Sequence, residues 1–382
     1  MKYLINSPNI SKKESLYVLD VLKSTWLSSN GYHTKIFEKK FSKTVNRKYS
    51  LAVQSGTAAL HLVLKSIGCG NKDNVMIPNF TCVSNISSVA QCGSIPIIIE
   101  VERDTLGIDI DLLEKAIKKY KPKALQLVHV YGYPARDTLK ILKLCKKYKV
   151  YVVEDASEAL GAKIGTKKIG SLGDVSVFST RSEKMVGVGE GAIISTNNKM
   201  LFEKICLLAS RNAPFRRKKD AYWKKYFSIG EGYNYLMPHL LGAVGRAQIE
   251  KFKNDTLIKK RRVGSYYRKI FNQKNFYSTQ KIIKGSKPVY WLNSIYFKEL
   301  NKYKVIKLAM YLQKKGIEVR SGFWPMSDLK NFNSKYVGGT KQVSKEIFEK
   351  SIVLPSNTNL KEKDIKYFFY LIKGYLEKKI SK

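Results

Sequence analysis

The chain has 382 residues, of which 44% are hydrophobic and 12% aromatic, and its 70 Lys and Arg outweigh 30 Asp and Glu to give a formal net charge of +40. That balance is too apolar for a disordered chain, and a length beyond about 300 residues leads us to expect one large core domain and a smaller second one. The N-terminal MKYLINSPNISKKES lacks a long apolar run and a small-residue cleavage site, and no later stretch approaches the roughly 18 apolar residues of a membrane span, so a cytosolic protein with no membrane partner is expected.

In chain order, short β-branched runs alternate with helical patterns from about residue 50 to 195. LAVQSG leads into TAALHLVLKSIG, VMIP into a helix through Asn85 to Gln91, and IPIIIEV into DIDLLEKAIKKY. ALQLVHVYG then precedes DTLKILKLCKKY, and VYVVED, DVSVFS and GAIIST close the series. Strands alternating with helices predict an α/β domain, with a mostly parallel central sheet covered on both faces. The segment from Met200 to Tyr235 reads as helical and basic, and GYNYLMPHLLGAVGRAQIEKF as a long helix entered through a loop containing Pro238. Strand patterns at Tyr290 to Phe297 and Gly316 to Val319 then alternate with the helices KVIKLAMYLQKK and KEKDIKYFFYLIKGYLEKK. Residues 1–245 are expected to form the large α/β domain with an N-terminal arm, and 246–382 a smaller α+β domain.

The five cysteines (Cys69, Cys82, Cys92, Cys145 and Cys206) are scattered and lack the close pairing of a zinc site, so reduced, mostly buried thiols and no metal are expected. The positive charge invites a nucleic-acid reading, with its densest clusters at Arg216 to Lys219 and Lys259 to Arg262. Neither cluster sits in a helix-turn-helix, zinc-finger or aromatic-rich single-strand motif, and a solvated basic face is the better expectation.

Three segments carry chemistry. In Gln54-Ser55-Gly56-Thr57-Ala58-Ala59-Leu60 a strand ends and a helix begins, and small residues there let backbone N–H groups approach an anion. A strand-to-helix turn capped by Ser55 explains the same residues equally well. The apolar strand Tyr151-Val152-Val153 ends in Glu154 and Asp155; acids at the carboxyl ends of parallel strands tend to face a ligand, although a helix N-cap is an alternative for Asp155. Beyond the strand Asp174 to Ser179 stands Lys184, followed by the glycines Gly187, Gly189 and Gly191, in a context that lifts this lysine above the many surface ones. His129 and Tyr131 end another strand, where a substrate-side role competes with a structural one. Arg320, Phe323 and Trp324 lie in the smaller domain, where a phosphate-pairing arginine and packing rings compete with ordinary surface and core roles.

Taken together, SPNIS, TWLSSNG, SGTAALHL, VEDASEALGA, the lysine segment, GYNYLMPHLLGAVGRAQIE, GIEVRSGFWPM and IVLPSNTNL fall in order along the chain. In this the chain resembles the DegT/StrS-type family of sugar aminotransferases, of fold-type I, which use pyridoxal phosphate. The resemblance implies that Lys184 holds the cofactor covalently and later shuttles a proton between cofactor and sugar, with pyridoxamine phosphate arising in between. It implies that Asp155 pairs with the pyridine nitrogen, and that Glu158, where many members have Gln, faces the cofactor's 3′-oxygen. Gly56, Thr57, Ala58 and Ser179 would cradle the phosphate. Asn234 of the GYNY segment would reach into the neighbouring subunit, making a homodimer with shared sites, and Arg320, Phe323 and Trp324 would face the substrate.

Two departures stand out: Cys82 occupies the place where many members stack an aromatic ring on the cofactor, and Leu236 and Pro238 replace an arginine and a small polar residue. Members that remove a hydroxyl carry histidine at the lysine position, and Lys184 argues against that reaction here. The implied reaction moves an amino group from L-glutamate to a nucleotide-linked 4-keto-6-deoxyhexose, as in enzymes of the perosamine-synthase type. Amination at carbon 3, an aminotransferase of amino acids alone, and a non-catalytic nucleic-acid-binding regulator on the same fold are the alternatives.

Overall fold

The computed structural model describes residues 1–214, 222–224, 226–340 and 342–380, so the basic cluster Arg216 to Lys219 lies outside the described residues. Two N-terminal helices, α1 (Lys12–Lys23) and α2 (Tyr32–Val45), precede an alternating series. It runs β1 (Tyr49–Val53), α3 (Gly56–Ser66), β2 (Asn74–Pro78), α4 (Val83–Gln91), β3 (Ile95–Ile99), α5 (Ile110–Tyr120), β4 (Ala124–Val128), α6 (Thr138–Lys147) and β5 (Tyr151–Asp155). A small hairpin, β6 (Lys163–Ile164) and β7 (Lys167–Lys168), leads to β8 (Val175–Ser179), β9 (Ala192–Thr196) and α7 (Lys199–Ala209). Helices α8 (His239–Lys251) and α9 (Leu257–Ile270) follow, joined by a π-helical turn over Phe252–Thr256. The remainder comprises β10 (Phe276–Ser278), β11 (Ser286–Lys287), β12 (Asn293–Phe297), α10 (Lys302–Lys314), β13 (Lys335–Val337), α11 (Val343–Lys350), β14 (Ser351–Leu354) and α12 (Glu362–Ile380).

The main sheet has the order β1-β9-β8-β5-β4-β2-β3-β13, and only β9 runs against its neighbours. Its strands are short runs of Val, Ile, Leu and Ala buried on both faces, which is why they read as continuous apolar segments. The chain steps outward from β2 to β3 and then returns to β4 on the other side of β2. This reversal opens a crevice at the carboxyl ends of the strands. A second, antiparallel sheet, β10-β12-β14, has its own apolar core with α9, α10 and α12, including Tyr267, Phe297, Leu308 and Phe368. Residue 246 falls inside α8, which packs on α1 and α2; β13, far along the chain, adds the edge strand to the main sheet. The approach of α8 to α2 is close: a Cβ on Gly245 would lie 2.5 Å from the Phe37 ring, and one on Gly242 2.1 Å from Thr34 Oγ1.

Three sequence expectations change. The helix expected from Met200 ends at Ala209, because Arg211 and Asn212 take positive φ and Pro214 offers no donor. The strand expected from Tyr290 begins only at Asn293, since Tyr290 has φ +54°. No strand forms over Gly316 to Val319, where Ile317 makes a single bridge to Tyr3. The cluster Lys259 to Arg262 is largely an internal brace. Lys260 is buried, Arg261 donates to the carbonyls of Pro288 (3.3 Å) and Gly161 (3.0 Å), and Arg262 donates to that of Thr358 (3.3 Å). All five cysteines are free; Cys69, Cys92 and Cys145 are buried, which pushes each thiol up to about 12. Among the described residues no helix is long and apolar enough to cross a membrane.

Candidate active site

A cavity of about 420 Å³ opens at the carboxyl ends of β1, β2, β4, β5 and β8, where these strands hand over to loops and helices. Its floor is the start of α3. Ser55 caps that helix by accepting the N–H of Ala58 at 3.1 Å. The N–H groups of Gly56 and Thr57 have no acceptor among the described residues, and they point from the positive end of an 11-residue helix. Ser179, at the end of β8, lies beside Gly56. Thr57 donates its hydroxyl to Ser84 (2.9 Å), and Cys82, exposed at the start of α4, also lines the cavity. Ala58 does not line it, and its N–H is already used; of the expected cradle the structure therefore assembles Gly56, Thr57 and Ser179.

Asp155 ends β5 and lines the cavity, held on both oxygens. Oδ1 accepts the Ser157 N–H at 3.1 Å and Oδ2 accepts Asn85 Nδ2 at 2.9 Å. Asn85 is oriented in turn by Thr81, which donates to its Oδ1 (2.7 Å), and by Gln126, which accepts from its Nδ2 (2.7 Å). This buried chain of amides and hydroxyls fixes the carboxylate without neutralising it with a cation. Glu158 follows one turn later. Its Oε2 accepts the Tyr131 N–H at 2.7 Å and its Oε1 lies 3.3 Å from Lys184 Nζ. Burial, assisted by the Asp155 charge, raises Glu158 above the usual carboxylate range, against the opposing pull of Lys184 and the Tyr131 N–H.

Lys184 stands five residues beyond β8, with its side chain only 10% exposed and its Nζ 3.5 Å from the centroid of the Trp291 ring. Trp291 is itself fixed by donating its indole N–H to the Glu183 carbonyl at 2.8 Å. Tyr131 and Phe323 stack with ring centroids 5.4 Å apart and form an aromatic wall. Tyr131 has φ +54° and the next residue, Gly132, φ +89°. A Cβ on Gly132 would come within 2.9 Å of the Trp291 nitrogen, so glycine is what lets the Trp291 loop close on this turn.

Two further sequence expectations, His129 and Trp324, are placed away from the cavity. His129 does not line the cavity. Its ring is 0% exposed, with Nδ1 accepting the Ala135 N–H (3.1 Å) and Nε2 donating to Glu154 Oε1 (3.2 Å). Burial alone would raise Glu154, but donation from His129 and from the N–H groups of Gly170 and Gly173 holds it below the usual carboxylate range. A substrate-side role for His129 is therefore replaced by a structural one. Trp324 is 47% exposed and packs on Phe348, outside the cavity. Arg320 lines the cavity, but its guanidinium is engaged by Glu183 (3.2 Å) and Glu318 (3.1 Å). Asn234 is exposed, bridges to Ser210, and lies away from this cavity. Trp291 and Asn85 were not singled out from the sequence; neither string, YWLN or VSNI, differs from an ordinary strand entry or helix interior.

A parallel sheet of this order, with an acid ending one strand and a largely buried lysine just beyond its neighbour, suits an aminotransferase of the pyridoxal 5′-phosphate-dependent class. The chain belongs to the DegT/DnrJ/EryC1/StrS aminotransferase family, whose model matches residues 8–372. It is 32% identical over 371 residues to the GDP-perosamine synthase of Escherichia coli O157:H7, covering 96% of this chain and 97% of that protein. It is 31% identical to the GDP-perosamine synthase of Vibrio cholerae, covering 97% and 98%. The fold matches the aminotransferase TlmJ from Streptoalloteichus hindustanus with a TM-score of 0.88 at 21% identity, over 98% of this chain and 99% of that one. The residues present suit the cofactor: two unpartnered helix-start N–H groups for a phosphate, a cation-free carboxylate for a pyridinium, and one lysine amine lining the cavity.

Proposed function

We propose that the chain transfers an amino group from L-glutamate to a nucleotide-linked 4-keto-6-deoxyhexose, giving a nucleotide 4-amino-4,6-dideoxysugar for glycan biosynthesis. The observation that carries this reading is the largely buried Lys184 amine held between Glu158 and the Trp291 face, in the same cavity as Asp155. Relatives named GDP-perosamine synthase, similar over almost the whole chain, support the sugar class.

In this reading Lys184 anchors the cofactor, Gly56, Thr57 and Ser179 receive its phosphate, and Asp155 keeps its ring nitrogen protonated. Bound pyridoxal phosphate supplies an electron sink that lets an amino group and a proton be exchanged at neighbouring carbons. Lys184 then carries that proton, since a free amine close to both carbons acts at high effective concentration. Glu158, 3.3 Å from Nζ, takes and returns the proton of the lysine. Cys82 leaves the outer side of the site with a compact thiol in place of a ring. Tyr131, Phe323 and Trp291 exclude water, and Arg320 exchanges one of its carboxylate partners for a nucleotide phosphate.

The active unit in this reading is a homodimer in which Asn234 completes the partner's site. Support comes from the exposed Asn234 and from the exposed apolar side chains Leu16, Leu19, Trp26 and Tyr32 on the N-terminal segment. The test is incubation of protein, pyridoxal phosphate and L-glutamate with GDP-, UDP- and dTDP-linked 4-keto-6-deoxysugars, with products identified by mass and NMR. One sugar nucleotide should gain an amine at carbon 4 as 2-oxoglutarate forms. An amine at carbon 3, or no aminated sugar at all, refutes the assignment.

A further inference from the structure

Lys260 is the most deeply buried cation in the described structure. It projects from α9 with only 1% of its surface exposed and no carboxylate in contact. An ammonium so placed is costly unless its donors are used, and two backbone oxygens use them: Nζ donates to the Trp291 carbonyl at 3.0 Å and to the Ser356 carbonyl at 2.6 Å. Ser356 lies just beyond β14, and its hydroxyl accepts both the backbone N–H (2.9 Å) and the side-chain amide (3.0 Å) of Asn293, the first residue of β12. One lysine thus ties α9, the entry to β12 and the exit from β14 to a single point. Burial pulls the ammonium down to about 7, while the Glu183 carboxylate acts in the opposite sense.

What hangs on that point is the Trp291 ring. Its backbone is held by Lys260, its indole N–H by the Glu183 carbonyl, and its face covers Lys184 Nζ at 3.5 Å. An indole face stabilises a cation over a neutral amine, so its position bears on how readily Lys184 gives up its proton. We propose that Lys260 is a positioning residue, clamping Trp291 so that the indole stays on Lys184 and sets the pH at which this amine becomes free to take the cofactor. The proposal rests on the reading of Lys184 as the cofactor lysine. Of the other titratable and charged groups, Glu158 is in direct contact with Lys184, Asp155 raises Glu158 by its charge, and Cys82, Tyr131, Arg181, Glu183, Glu190 and Arg320 line the same cavity. All are common to the variants below.

The experiment follows pyridoxal phosphate loading of the apoprotein across a pH series, by absorbance and by borohydride trapping, with no turnover required. Lys260→Met and Trp291→Leu should each move the loading midpoint to lower pH by about half to one unit, the size of an indole–cation contact. The double variant should move no further than either alone, because one change acts through the other. A purely structural lysine would lower the melting temperature and leave the midpoint where it was. An unmoved midpoint in either single variant, or shifts that add in the double variant, overturns the proposal. Should Lys260→Met fail to fold, Lys260→Gln retains a donor but is too short to reach both carbonyls, and it is read by the same criteria. Trapping of the wild type away from Lys184 would instead sink the functional reading, and this inference with it.

Discussion

Replacing His129 by Ala separates a structural histidine from a substrate-binding one. The ring makes two buried hydrogen bonds, to Glu154 and from the Ala135 N–H, and neither group can reach water in its absence. Glu154 retains the N–H groups of Gly170 (2.6 Å), Leu172 (2.9 Å) and Gly173 (3.1 Å), which limits the damage on the acidic side. A lost charge-assisted bond and an orphaned N–H, each of order 1–3 kcal/mol, together with the space vacated by the ring, give a loss of about 3–5 kcal/mol. An unfolding entropy of about 2 cal/mol/K per residue makes that a drop of roughly 4–6 °C in melting temperature for a chain of this length. His129→Gln keeps a donor for Glu154 and should lose about half as much. The assay pairs calorimetry with kcat and KM measured well below the transition, and both constants should stay within about threefold of wild type for either variant. A large loss in kcat/KM with little change in melting would refute the structural role and return His129 to the substrate side.

Two further outcomes are expected. Burial alone would raise Glu250, but donation from Lys13, Tyr17 and Arg246 holds it at about 2, against an ordinary value of 4.5. A depressed carboxylate stabilises the fold above its unfolded pKa and loses that contribution as pH falls through the folded one. Lys13 is half-exposed, so solvent screens part of this, and Glu250→Gln should cost about 1–2 kcal/mol in urea unfolding at neutral pH and progressively less between about pH 4.5 and pH 2. An unchanged cost across that window would contradict the linkage. Separately, Lys184→Ala and Asn234→Ala proteins should each be inactive, while subunits mixed after dissociation should recover about a quarter of wild-type activity, through heterodimers with one intact site. No recovery, with heterodimers present by mass, would count against a shared site.

Much of the fold was readable because parallel strands buried on both faces leave short, unbroken apolar runs, and each of those from LAVQSG to GAIIST became a strand. That Asp155 and Lys184 line the cavity was readable for a related reason, since the carboxyl end of a sheet strand is where side chains reach a crevice. The same rule misled at His129, where the strand end turns inward and Glu154, a neighbour on β5, captures the ring. Local sequence also concealed the support for the site. Asn85 looks like any polar residue in a short helix, yet its amide holds Asp155 from 70 positions away. Trp291 meets Lys184 only because α9, the β12 entry and the β14 exit converge at Lys260, which in the sequence is one member of a basic run. Such contacts are set by tertiary packing and leave no periodic signature.

The most direct test is borohydride reduction of the protein loaded with pyridoxal phosphate, followed by proteolysis and mass mapping of the modified lysine. The phosphopyridoxyl group is expected on Lys184 alone, at one per subunit, and absent from Lys184→Ala. A reduced adduct on another lysine, or on none, would contradict the assignment on which the site and its chemistry rest.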